Sequence, residues 1–411
     1  MEVKMESKNH YYSSILTNLP RVITNKGETI VMDLAVVSEL PKLFELFQSA
    51  MKNGHGYGID DFQSYNMFRN FCLQMNVITG TIKTASGVIC GIYTINPSRL
   101  AGCHDTVLAA GHMVLDQSIR NYGFHTHIAK ECLISMKLLG FHTYLGESIV
   151  DTVVTNNVKS LGAKVVGRIP MCLNLAERGW RNSTIMQIDM VDDCKESKVL
   201  RRTKMLSFKP DTTGITLNSV VKLPNMPHHC KLQDKTPIKI DYAKSDELMT
   251  IFEMFRDAKE NGNRYDIHDF ETYDHFVHKF QNAHIFFVKH SKTNAALMAC
   301  VITPSHICRS QNPILSTGYT AFPKSESTPE RDHIWNAIRL HSELSKALGY
   351  VGMLTEVSTR DTEMLEATIQ HPVRRNMFKV VAEIPKMMFV KASGYVTGLI
   401  LFSRNAEESK V

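Results

Sequence analysis

Six consecutive residues, Arg120-Asn121-Tyr122-Gly123-Phe124-His125, place a cation and a glycine between an apolar run and a helix-like run. Backbone N–H groups at a helix start have no partner within the helix, and a glycine beside them lets an anion come close. The chemistry expected here is the holding of a phosphate-bearing ligand. The apolar run before the turn, residues 108–115, reads as a strand whose Val114 and Leu115 can offer backbone groups to an extended ligand. Two side chains nearby could move protons. Glu147 lies late in the next strand, and a semi-buried carboxylate can be tuned upward towards the range of a general base. His112, on the strand leading to the turn, is a second candidate base or a contact to the reacting partner. His125 and His127 are two apart, which points them to different faces of a helix, so no metal site is expected from them.

The elements that must position these residues follow from periodicity. Ile128, Cys132, Leu133, Met136 and Leu139 fall on one helical stripe, and Gly140 follows where a left-handed cap favours glycine. A second helix-like segment starts at Asp151, which is expected to cap it, and ends at Leu161-Gly162 before Ala163-Lys164-Val165-Val166-Gly167. Strand, basic glycine turn, helix, strand, helix and strand make a small α/β unit.

The turn resembles the Arg/Gln-x-x-Gly-x-Gly/Ala loop of the GNAT superfamily of acyl-CoA-dependent N-acetyltransferases. Residues 161–170, from Leu161-Gly162 through Gly167 to Pro170, are similar to the Leu-Gly-Phe-x-x-x-Gly-x-x-Pro ending of a branch that includes fungal azetidine-2-carboxylate acetyltransferases. The likeness spans roughly residues 36–190. It implies acetyl-CoA or a related acyl-CoA as co-substrate, with no metal. Arg120, Asn121, Tyr122, Gly123, Phe124 and His125 would hold its pyrophosphate, Val114 and Leu115 its pantetheine arm, and Asp151 would be a further contact. The acceptor implied is the amine of a small, amino-acid-like molecule, with Glu147 and His112 as the catalytic candidates. Four positions depart from the family, Asp151 first, since it stands where the family usually has asparagine. His125 replaces the last loop glycine, and Val158 stands where a tyrosine often protonates the departing thiolate. Leu145 stands where the fungal enzymes carry an asparagine, so proline-analogue chemistry is not expected.

The 411 residues carry a formal net charge of +6, with 43% hydrophobic and 21% charged residues. That is a globular composition long enough for two domains. The positive charge is too dispersed for nucleic-acid binding. Nine cysteines without C-x-x-C spacing read as reduced thiols rather than a disulfide framework. The polar start of the chain and the absence of a long apolar run lead to the expectation of a cytoplasmic protein off the membrane. Oligomeric state is not legible.

An internal repeat organises the whole chain. Phe47, Ala50, Asn53, Gly54, Tyr57, Ile59, Asp61, Phe62, Tyr65 and Phe68 all recur 208 positions later, from Phe255 to Phe276. The expected layout is a lead-in over 1–34, a first GNAT-like domain over 35–191, a linker over 192–235 and a second domain over 236–405. Each domain is expected to be α/β (α+β), a mixed, mainly antiparallel sheet flanked by helices. In the second copy the glycine turn is replaced by Ser325-Glu326-Ser327-Thr328-Pro329-Glu330-Arg331-Asp332, whose acids would repel an anion. The second copy is therefore read as degenerate. The alternative to an enzyme is a non-catalytic tandem protein that senses coenzyme A or acts as a scaffold. Peptide acetylation is disfavoured because no acidic substrate-binding stretch stands out.

Overall fold

The structure is a computed structural model that describes residues 12–59, 61–75, 78–98, 108–149, 153–190, 222–232, 234–261, 264–266, 269, 271–305, 307, 312–323, 331–370, 377–390 and 393–404. Asp151 and the acidic turn 324–330 lie outside them. Two compact units divide the chain, 1–208 and 209–411.

In the first unit, β1 (Arg21–Asn25) and β2 (Glu28–Leu34) form a hairpin within the stretch expected as a lead-in. Its two-residue turn, Lys26 and Gly27, has positive φ at both positions, as the right-handed twist of a hairpin favours. Helix α1 (Leu40–Lys52) buries Leu43, Phe44, Phe47 and Ala50 on one stripe, and α2 (Tyr65–Asn70) adds Phe68. Strands β3 (Ile78–Thr84) and β4 (Ile89–Pro97) continue the antiparallel sheet. The single strand expected over residues 108–115 is instead two, β5 (Leu108–Ala110) and β6 (Met113–Leu115), both pairing with β4. Then come α3 (Phe124–Leu138), β7 (Thr143–Ile149), α4 (Val153–Ser160), β8 (Lys164–Leu175) and β9 (Gly179–Asp189). β5 runs parallel to β7, and β7, β9 and β8 close the sheet antiparallel. α1 and α2 cover one face, against Ile92 and Val114. α3 covers the other through Phe124, Ile128, Cys132 and Met136, packed on Ile30, Met32, Ile78 and Leu115.

The second unit runs through the same order of elements. β10 (His228–Lys231), inside the expected linker, pairs with β11 (Pro237–Tyr242). Helices α5 (Leu248–Asn261) and α6 (Tyr273–Lys279) precede β12 (His284–His290), β13 (Ala296–Ser305) and an unbroken β14 (Asn312–Ala321). Next are α7 (Arg331–Ala347), β15 (Gly352–Ser358), the one-turn α8 (Thr362–Leu365), β16 (Lys379–Val390) and β17 (Gly394–Arg404). β14 and β15 are the one parallel pair among the described strands of this unit. Each unit is thus a mixed, mainly antiparallel sheet flanked by helices, as expected.

One side chain fixes the middle of each sheet. The Tyr57 hydroxyl donates to the Met113 carbonyl at 2.7 Å and accepts from the Met113 N–H at 3.0 Å. The Tyr265 hydroxyl does the same to Thr320, at 2.6 and 2.8 Å. Both tyrosines belong to the repeated segment and lie just beyond the first helix of their unit. Removing either hydroxyl leaves a strand N–H and carbonyl without a protein partner, which costs about 1–3 kcal/mol. Tyr57→Phe and Tyr265→Phe should each lower unfolding stability by that amount in denaturant titrations. An unchanged midpoint in both would show that the clamp carries no energy.

Beneath β14, His341 on α7 is 4% exposed and shares a 2.7 Å hydrogen bond with the Thr320 hydroxyl. Burial pushes its pKa from 6.5 down to about 4. A folded value below the unfolded one means that the unfolded chain takes up the proton first. Stability present above pH 6.5 is therefore lost as pH falls towards 4. The loss from this ring amounts to roughly 3 kcal/mol. His341→Gln, which cannot titrate, should flatten the pH dependence of stability across that interval, and identical slopes in both proteins would contradict the assignment.

Candidate functional site

The break in the first unit starts at Thr94. Its N–H donates to the His112 carbonyl at 2.9 Å, but the His112 N–H donates to the Thr94 hydroxyl, also at 2.9 Å, rather than to the Thr94 carbonyl. That carbonyl turns instead towards Gly111, where a Cβ would lie 2.2 Å from it. Only glycine fits. Asn96 faces Ala110 and Tyr93 faces Met113, so no residue has been inserted and the register continues across the break.

Beyond the break, β6 stays on β4 but leaves β7. Pairing between β5 and β7 stops at Ala109 and Tyr144. The backbone groups of Met113 and Leu115 point away from β4, because the bonded pairs with β4 fall at His112, Val114 and Asp116. Tyr57 takes both groups of Met113. Arg120 Nε takes the Leu115 carbonyl at 2.9 Å. The Leu115 N–H is the edge donor left for a ligand.

The turn after β6 is a 3₁₀ helix, Gln117–Tyr122, begun by Asp116, whose carboxylate accepts from the Ser118 N–H and hydroxyl. Gly123 follows with φ +75° and stands as the N-cap of α3, which has no side-chain cap. Its first-turn N–H groups are thus open to an anion. The β1–β2 hairpin braces this turn: Asn25 donates to the Tyr122 carbonyl at 2.6 Å and Lys26 to the Asn121 carbonyl at 3.2 Å. Phe124 is fully buried and anchors the start of the helix. Burial holds the half-buried His125 imidazole below its ordinary pKa, so a neutral ring stands in the first turn.

The expected site residues divide between the two faces. Val114 is 3% exposed and packs towards α1, with its backbone groups in the β4 ladder, so Leu115 alone of the two serves the open edge. Arg120, whose Nε holds the Leu115 carbonyl, also places Nη1 2.8 Å from His55 Nδ1. His112 sits in an aromatic surround, with ring centroids of Phe71 at 5.4 Å, Tyr57 at 5.9 Å, Phe47 at 6.1 Å and Phe62 at 6.3 Å. Along β7, Tyr144 and Ser148 face α3 and α4, where the Ser148 hydroxyl meets that of Thr155 at 2.7 Å. Strand alternation puts Glu147 on the opposite face, the α1/α2 side to which His112 also turns. Asp151 lies outside the described residues. The sequence carries no local sign of the roles of Thr94 and Tyr57; the recurrence of that tyrosine is the available signal.

The corresponding region of the second unit is filled by its own charges. Lys279 meets Asp269 at 2.8 Å and lies 5.1 Å from the Tyr319 ring centroid. Burial opposes its charge, but Asp269, Tyr319 and Glu356 outweigh that and hold the ammonium above its ordinary range. Arg264 is paired with Asp361 at 3.0 Å, both side chains largely buried. Residue 279 answers to Phe71 at the repeat's offset, so an aromatic wall in one unit is an ion pair in the other.

Among the described residues no group of three or more His, Cys, Asp or Glu side chains is placed to hold a metal ion, and no helix is long and apolar enough to cross a membrane. No family model matches the chain, and no curated protein does. Solved structures similar to part of it include a GCN5-related N-acetyltransferase from Kribbella flavida, 17% identical over 39% of this chain and 98% of its own, TM-score 0.35. A GNAT superfamily phosphinothricin acetyltransferase from Sinorhizobium meliloti, solved in complex with AcCoA, is 16% identical over 39% of this chain and 88% of its own, TM-score 0.34. A spermidine N-acetyltransferase from Vibrio cholerae, solved with CoA and spermine, is 11% identical over 39% of this chain and 99% of its own, TM-score 0.33.

Proposed function

We propose that the first unit binds an acyl-CoA and transfers its acyl group to the amine of a small molecule. The observation that carries this reading is a single continuous edge. The Leu115 N–H lies a short turn before the uncapped first turn of α3, and the β5–β6 break lies just behind it. The N–H groups around Gly123, Phe124 and His125 suit a pyrophosphate, and the Leu115 N–H suits an amide of the pantetheine arm. The thioester then reaches the break, next to His112.

In the transfer the amine nitrogen attacks the thioester carbonyl, the C–N bond forms, and the C–S bond breaks. Glu147 takes the proton lost by the nitrogen, and His112 with its aromatic surround forms the acceptor wall. The thiolate takes its proton from water, since Val158 offers none. Most of the rate comes from positioning. We read residues 35–191 as the active domain and 236–405 as a degenerate one, giving one acyl-CoA per chain.

Gly123 is a poor site for a test, because φ +75° and the Asn25 amide 3.1 Å from a Cβ would strain any side chain. Thr126→Glu is better. A glutamate at the third helical position can reach back to the N-cap N–H and complements the helix dipole, stabilising the helix by about 0.3–1 kcal/mol. The same carboxylate competes with and repels a pyrophosphate. The expected result by calorimetry is acetyl-CoA affinity reduced at least tenfold, with thermal stability kept or raised. A wild-type protein that does not bind acetyl-CoA, or a variant that binds it equally well, removes the reading. Release of free thiol from acetyl-CoA on addition of primary amines then reports the transfer.

A further inference from the structure

The break in the first sheet opens on more than the ligand edge. On the α3/α4 face lies a cavity of about 50 Å³ lined on its near side by Thr94, Gly111, His112 and Met113. Its far walls are apolar: Cys132 and Met136 of α3, Val158 of α4 and Ile188 of β9, with Tyr144 of β7 below. Cys132, Met136, Val158 and Ile188 are each less than 9% exposed. Its position relative to the sheet decides what it can take. Tyr144 pairs with Ala109, on the still-joined side of the fork between β5 and β7, whereas the ligand edge at Leu115 is on the open side. A ligand running along the open edge towards the break therefore meets the cavity only with its leading end. For an acyl-CoA, that end is the acyl chain.

The cavity is too small for a ring and too apolar for a carboxylate. A water-sized group needs roughly 10–15 Å³ of such space, so the cavity takes a few groups of that size, enough for the one or two methylenes that propionyl and butyryl carry beyond an acetyl. Val158 matters here by its size: the short side chain leaves open a space that a large one would close.

We infer that this cavity is an acyl subsite, and that the preferred donor is a short linear acyl-CoA of three or four carbons rather than acetyl-CoA. The inference rests on the proposed function. A buried methylene contributes about a fourfold gain in affinity. Calorimetry of the full chain with acetyl-, propionyl-, butyryl- and octanoyl-CoA should show affinity rising about fourfold per added carbon as far as butyryl, and falling for octanoyl. Two variants fill the space from opposite walls, Cys132→Phe on α3 and Val158→Phe on α4, so that failure of one to fold leaves the other. Each should bind acetyl-CoA about as well as wild type and lose the gain for propionyl- and butyryl-CoA. Acetyl-CoA bound as tightly as butyryl-CoA, or a gain that survives the filling, overturns the acyl subsite and leaves the proposed function standing. No binding of any acyl-CoA removes the proposed function and the subsite with it.

Discussion

A strand that leaves its neighbour in mid-sheet exposes N–H and carbonyl groups that must find other partners, since buried backbone groups left unpaired are costly. In the first unit β6 departs from β7, and the groups exposed are those of Met113 and Leu115. Tyr57 satisfies both groups of Met113 with one hydroxyl, and Arg120 satisfies the Leu115 carbonyl. What stays open is one N–H, next to a helix start that has no cap. The fork, the edge donor and the proposed anion site all depend on that division. Were β6 and β7 to pair throughout, neither edge nor cavity would exist.

The second unit keeps the clamp without the room that the first leaves beside it. Tyr265 holds Thr320 as Tyr57 holds Met113, yet the space around it is differently filled. On one side the Lys279–Asp269 pair lies against Tyr319. On the other, His341 packs so closely on Gly318 that a Cβ there would lie 2.3 Å from its ring nitrogen. Gly318 and Gly111 stand at matching distances before the clamped residue, and in the first unit the space beside Gly111 belongs to the cavity. The sheet needs the tyrosine in either unit. Among the described residues, the space beside Gly318 is taken by His341, whereas that beside Gly111 is open.

Much of the architecture was legible because helical stripes and cap glycines are local signals. The stripe of α3 is buried at Ile128, Cys132, Met136 and Leu139, with Leu133 half-buried, and Gly140 has the positive φ expected of a helix cap. Gly123 likewise adopts a left-handed conformation at the start of α3. The break at Gly111 and His112 was not legible, because residues 108–115 read as one mainly apolar run. Its cause lies on a different strand, in the Thr94 carbonyl turning out of the ladder. The role of Tyr57 was hidden for a similar reason: recurrence marks a residue as kept, but only the fold brings its hydroxyl to a strand 56 residues away. The place of Arg120 beside a glycine suggests an anion ligand, whereas the contacts of its side chain are the Leu115 carbonyl and His55.

On the proposed function, an acyl-CoA lies along one edge of the first unit, from Leu115 to the first turn of α3. Amide hydrogen exchange of the full chain, measured with and without saturating acetyl-CoA, tests it residue by residue. The account predicts slower exchange at Leu115 and at residues 123–126, with β14 of the second unit unchanged. Unaltered exchange at Leu115 and the start of α3, or protection that appears around Tyr319 instead, would contradict it.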